Sequence, residues 1–154
     1  MHNDCRIPTS LALNHQDLLM NDEDKYIPTK LEDFKCKMKS LNLSRTDTII
    51  CYDNFGIFSA PRMAWTLNYF GAKNVRVLNG GLKKWVKEKR EVEIGAFRRH
   101  KINEHKGTDF EYAIESPLTG ITEINTIQRL AYYIVNKTAS TQLVDARCPN
   151  RYDG

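Results

Sequence analysis

The run TIICYD, Thr48–Asp53, stops abruptly at Asn54-Phe55-Gly56, and small residues with Pro61 and Arg62 then open a helical pattern. A short β-branched run bounded by turn signals suits a strand covered on both faces. From Ala60 to Phe70 the spacing of Met63, Ala64, Leu67 and Phe70 predicts a helix, with Gly71 as its C′ residue. NVRVLNGG then supplies a second buried strand, Asn74–Leu78, closed by Gly80-Gly81, and LKKWVKEKR returns to helix. Strand, helix, strand, helix at this rhythm implies parallel βαβ units, hence an α/β sheet with helices on its faces.

On either side the signals are weaker. RIPTSLAL predicts a strand over Ile7–Leu13, and Pro28-Thr29 a turn and N-cap for a helix from Lys30 to Leu41, with Leu31, Phe34, Met38 and Leu41 on one apolar face. Residues 92–120 are charged and irregular and read as a linker. A new helix over Ile121–Lys137 and a strand over Gln142–Ala146 then look like the start of a second domain. The expected division is therefore 1–91, 92–120 and 121–154.

Composition narrows the function. At 154 residues the chain can build one core and part of another, its 41% hydrophobic content argues against disorder, and no stretch reaches a membrane-span length. Cys5, Cys36, Cys51 and Cys148 show no CxxC spacing, so free thiols and neither a disulfide framework nor a zinc site are expected. His15, His100 and His105 have no ligand spacing either. No metal and no cofactor is expected. Lys83 to Lys106 carries nine Lys/Arg against four Glu, an excess larger than the chain's net +4. Without interleaved aromatics that segment reads as a solvated helix end and linker, and nucleic-acid binding is not expected. The acidic first 30 residues show no readable targeting signal.

In an open parallel sheet the working site lies beyond the carboxyl ends of the strands. A tight loop entering a helix there presents unpaired N–H groups at the positive end of the dipole, a receptacle for an anion. A nucleophile at the loop's first position would be activated, and that position holds Asp53. Loop capping is the ordinary role for such a carboxylate. Cys51 reads as a small core residue. For Cys148, Arg147 and Arg151 would depress the thiol's pKa if it is exposed, but an unreactive thiol is the ordinary reading. Arg62 opposes the dipole of its helix, so a carboxylate partner is expected, and Trp65 and Trp85 read as core or interface fillers.

The stretch YDNFGIFSAPRMAWTLNYFGAKNVRVLNGGLKKW resembles the amino-terminal module of the tandem-domain rhodanese family, the thiosulfate and 3-mercaptopyruvate sulfurtransferases. RIPTS and LVDARCPNRYDG resemble that family's early strand and the opening of its second module. The resemblance implies a rhodanese-like parallel sheet with helices on both faces, here lacking the opening strand. It also implies transfer of sulfane sulfur, through a cysteine persulfide, from a small anionic donor to a thiophilic acceptor, in mitochondrion or cytoplasm. Asp53 then stands at the nucleophile-equivalent position, Arg151 matches the substrate-binding arginine, and Arg147 a structural one. The catalytic cysteine loop of the second module would fall after Gly154, so the chain is expected to be a fragment inactive alone. The alternative is a non-catalytic subunit or adaptor. By the same resemblance the Val75–Leu78 edge lacks its neighbour, and a partner protein's strand, or TQLVDA at residues 141–146, is expected to fill it.

Overall fold

The computed structural model describes residues 5–18, 28–95 and 110–114. The chain divides into two compact units, Met1–Glu115 and Ser116–Gly154, and every described residue lies in the first. The expected helix over 121–137, the strand over 142–146 and its edge pairing, and Arg147, Cys148, Arg151, His100 and His105 lie outside the described residues.

Helix α1, Leu31–Leu41, buries Phe34 and Met38 on the face the spacing predicts, with Leu31 and Leu41 partly buried beside them. Its cap differs from expectation. Lys30, not Thr29, is the N-cap and makes no side-chain cap bond, while the Thr29 amide donates to the Leu18 carbonyl at 2.9 Å. Asn42 closes the far end in the left-handed region, where its amide and that of Leu43 reach Lys39 and Met38.

Strand β2, Thr48–Cys51, pairs in parallel with β3, Asn74–Val77, Ile49 opposite Val75 and Cys51 opposite Val77. Helix α2, Ala60–Tyr69, connects them and packs on the face carrying Ile49, Cys51, Val75 and Val77. The reading of both strands as buried throughout is corrected here. Burial alternates: Thr48, Asn74 and Arg76 are exposed and Ile50 is 58% exposed, because successive side chains point to opposite faces. Within NVRV the polar residues already mark that second face.

Phe34 stacks on Phe70 with ring centroids 4.1 Å apart, so α1 docks on the end of α2. Full burial of such side chains stabilises the fold by roughly 2 kcal/mol each. Gly71, at φ +88, ends α2 as a C′ residue, with the Ala72 amide donating to the Leu67 carbonyl. Helix α3, Gly81–Lys87, follows β3 directly.

The strand expected over Ile7–Leu13 does not form. A two-residue strand β1, Cys5–Arg6, pairs antiparallel with β4, Glu93–Ile94, fastened by an Arg6–Glu93 ion pair at 3.0 Å. Pro8 has no N–H to offer a ladder, and Thr9 sits at φ +64, which turns the chain toward a 3₁₀ turn at His15–Leu18. Within the stretch read as a linker, Glu93–Ile94 makes this ladder. Tyr112, 1% exposed, sets its ring edge against Phe34 and donates its hydroxyl to the Leu43 carbonyl at 3.0 Å. Trp65 is not a core filler. It is 40% exposed and stacks on Tyr69, while half-buried Trp85 donates its Nε1 to the Glu91 carbonyl beyond the end of α3.

Candidate functional site

Asp53 leaves the end of β2 and turns back under its own loop. Its Oδ1 accepts the amides of Phe55 and Gly56, both at 2.9 Å, and its Oδ2 those of Phe58, Ser59 and Ala60 at 2.8, 2.9 and 3.0 Å. Five amides thus converge on one carboxylate that is only 8% exposed. Burial alone would push the carboxyl up. The amides of Ala60, Phe58, Phe55 and Ser59 more than reverse that and bring Asp53 down to about 2.

The local sequence explains the arrangement. Ser59 is the N-cap of α2 but makes no side-chain cap bond, Pro61 lies in the first turn and needs no acceptor, and that turn contains no acidic residue. A carboxylate six and seven residues upstream therefore supplies both the acceptor and the negative charge that the helix start needs. Arg62 lies half-buried in that same first turn.

The loop also rests on the next turn of the chain. The Leu82 amide donates to the Asp53 carbonyl at 2.9 Å, and the Leu78 amide to the Cys51 carbonyl at 2.9 Å. Sequence reasoning placed Gly80-Gly81 at the end of a strand and missed this support. On the other side, the Tyr52 hydroxyl meets Ser10 Oγ at 2.7 Å and accepts the Ile7 amide at 3.3 Å. A groove of about 860 Å³ opens there between Ser10, Leu13, Ile50, Tyr52, Asp53 and Phe55.

The loop carries no thiol. Cys51, two residues before Asp53, is buried, and burial pushes its thiol up to about 11, the opposite of an activated nucleophile. Cys5 and Cys36 are free thiols on other elements, the first half-buried and the second exposed. Among the described residues no group of three His, Cys, Asp or Glu side chains is placed to hold a metal. None of the helices among the described residues is long and apolar enough to cross a membrane. The loop rim is apolar, with Phe55 74%, Ile57 56% and Phe58 80% exposed.

Comparison with known proteins bears on the family and the fold. Residues 2–88 match the profile of the Rhodanese-like domain. The chain is similar to thiosulfate/3-mercaptopyruvate sulfurtransferase 1, mitochondrial, of Arabidopsis thaliana, at 30% identity over 138 residues, which is 83% of this chain and 36% of that protein. It is also similar to thiosulfate sulfurtransferase of Cricetulus griseus, at 32% identity over 117 residues, 75% of this chain and 35% of that one. Among solved structures, SseA from Escherichia coli, a 3-mercaptopyruvate sulfotransferase of rhodanese fold, superposes with a TM-score of 0.73 at 23% identity, over 98% of this chain and 53% of that chain. At that identity the superposition shows the fold, an α/β fold with parallel strands. The chain spans little more than a third of the length of these two sulfurtransferases.

Proposed function

The chain belongs to the Rhodanese-like domain family, and on that footing we propose that it is a module of a sulfurtransferase that takes sulfane sulfur from thiosulfate or 3-mercaptopyruvate. In this reading the module supplies the fold and an amide cradle but not the nucleophile, and the chain alone does not turn over. The single observation that carries the reading is the occupied cradle. Asp53 holds five amides in the place where a thiolate would need them, and Cys51 is buried and protonated. Arg151 is proposed as an anchor for the anionic donor through charge-assisted hydrogen bonds. A mitochondrial or cytoplasmic location goes with this reading, one relative being named mitochondrial.

The experiment is a gain of function. In Asp53→Cys a thiolate would sit among the five amides and attack the outer sulfur of thiosulfate. The S–S bond breaks, sulfite leaves with the electron pair, and a cysteine persulfide remains. The expected result is one added sulfur atom in the intact mass of Asp53→Cys, removed by cyanide as thiocyanate, and none on the unmodified chain. Repeated thiocyanate formation by the unmodified 154-residue chain would overturn the proposal.

A second reading, a non-catalytic rhodanese-fold subunit or adaptor, is favoured by the exposed Phe55, Ile57 and Phe58 on the cradle rim and by β3, which among the described residues pairs only with β2. It requires a protein partner whose binding is lost in Phe58→Ser while the fold is kept.

A further inference from the structure

Gly81 begins α3 at φ +53 and is buried, and a Cβ placed on it would lie 2.6 Å from the Asp53 carbonyl oxygen and 2.6 Å from the Gly56 carbonyl oxygen. Both of those atoms are backbone. Neither can swing away as a side chain would, so any side chain here must push the loop or the helix start aside. The adjoining Leu82 amide bonds the same Asp53 carbonyl, which holds the two turns at this distance. At Gly80, φ +83, a Cβ would lie 2.5 Å from the Lys84 side chain and would not meet the Asp53 loop that closely. Gly95, at φ +102, has nothing within 4 Å of a would-be Cβ.

We propose that Gly81 is the positioning residue of the amide cradle: its bare Cα lets the β3–α3 turn close on the carbonyls of Asp53 and Gly56, and this contact sets the aim of the amides of Phe55, Gly56, Phe58, Ser59 and Ala60. Within the loop, Asp53 gathers the five amides; from outside, the β3–α3 turn adds the bond from the Leu82 amide to the Asp53 carbonyl. Residues 53 and 56, whose carbonyls touch Gly81, flank the first two donors, so a displacement there propagates into the donor directions. The sensitivity is angular, since hydrogen bonds weaken steeply once the donor turns away from its acceptor. The proposal rests on the geometry of the cradle and not on sulfur transfer, so it stands or falls separately from the reading above.

The test compares Gly81→Ala with Gly95→Ala in the full chain and follows the Asp53 carboxyl by NMR titration. Both substitutions place a side chain at positive φ, +53 at Gly81 and +102 at Gly95, so each carries a backbone penalty and the one at Gly95 is the larger. In Gly81→Ala the Asp53 midpoint rises from about 2 toward the ordinary aspartate value near ~3.9, and in Gly95→Ala it does not move. A folded Gly81→Ala protein with an unchanged midpoint overturns the proposal, as does an equal rise in Gly95→Ala. Should Gly81→Ala fail to fold, hydrogen exchange in the unmodified protein decides. The Leu82 amide and the amides of Phe58, Ser59 and Ala60 are expected to open together, with protection within about threefold, whereas differences beyond about tenfold overturn the coupling.

Discussion

Two turns leave the same end of the parallel pair β2–β3, and they treat the start of a helix in opposite ways. After β2 the chain takes a long loop with an apolar rim, and one carboxylate accepts the loop amides of Phe55, Gly56 and Phe58 together with those of the N-cap Ser59 and of Ala60, the first residue of α2. After β3 it takes a tight turn through Gly80 and Gly81, α3 has no side-chain cap, and the Leu82 amide goes to the backbone of the first loop. The first turn is a receptacle filled from within. The second is its brace. Topology alone does not make a parallel-sheet loop a binding site; what the helix amides are given as an acceptor decides it.

The contrast is broken most severely at Asp53. Asp53→Ala leaves five amides without their acceptor, and by the cost of losing charge-assisted bonds it should destabilise the protein by about 3 kcal/mol or more, read from urea unfolding. Acid should then narrow the difference between the two proteins. The Asp53 carboxyl is lower in the folded state than in the unfolded chain, so its contribution is complete above the unfolded value near ~3.9 and is lost as pH falls through about 2. The stability gap between the unmodified protein and Asp53→Ala is expected to narrow across that window, measured by unfolding at stepped pH.

Smaller effects sharpen the same comparison. A serine N-cap replaced by alanine ordinarily costs ~1 kcal/mol, yet Ser59 makes no cap bond. Ser59→Ala should therefore cost under about 0.5 kcal/mol in the same unfolding assay, since Asp53 already fills the role. Thiol labelling gives a parallel contrast. Exposed Cys36 should react in the native state, while Cys51, held at about 11 by burial, should react only as the protein unfolds. Phe58→Ser, at a side chain 80% exposed, should leave stability within about 0.5 kcal/mol of the unmodified protein.

Local periodicity made α1, α2 and the two parallel strands legible, because Phe34, Met38, Ala64, Leu67 and Phe70 repeat at helical spacing and end at Gly71. The loop's place was legible too, from strand-to-helix order and a run of small residues. What escaped depends on chain segments far apart. Ile7–Leu13 looks extended, but Pro8 and the left-handed Thr9 spend it on a turn clamped by Glu93, whose Oε1 accepts the Thr9 amide. Tyr112 sits in a charged stretch with no period, and its burial needs Phe34 and Leu43 from elsewhere. Asp53 could be picked out by position, but five converging amides are a property of the folded loop. Gly81 read as punctuation because the atoms it must avoid belong to residues 53 and 56.

The most direct measurement is the NMR titration of the Asp53 side-chain carboxyl in the unmodified protein, followed together with the five loop amides. A carboxylate seated in the cradle should titrate at about 2, with the amide signals of Phe55, Gly56, Phe58, Ser59 and Ala60 moving in step. A midpoint near ~3.9, with those amides unmoved, would mean that the carboxylate does not occupy the cradle.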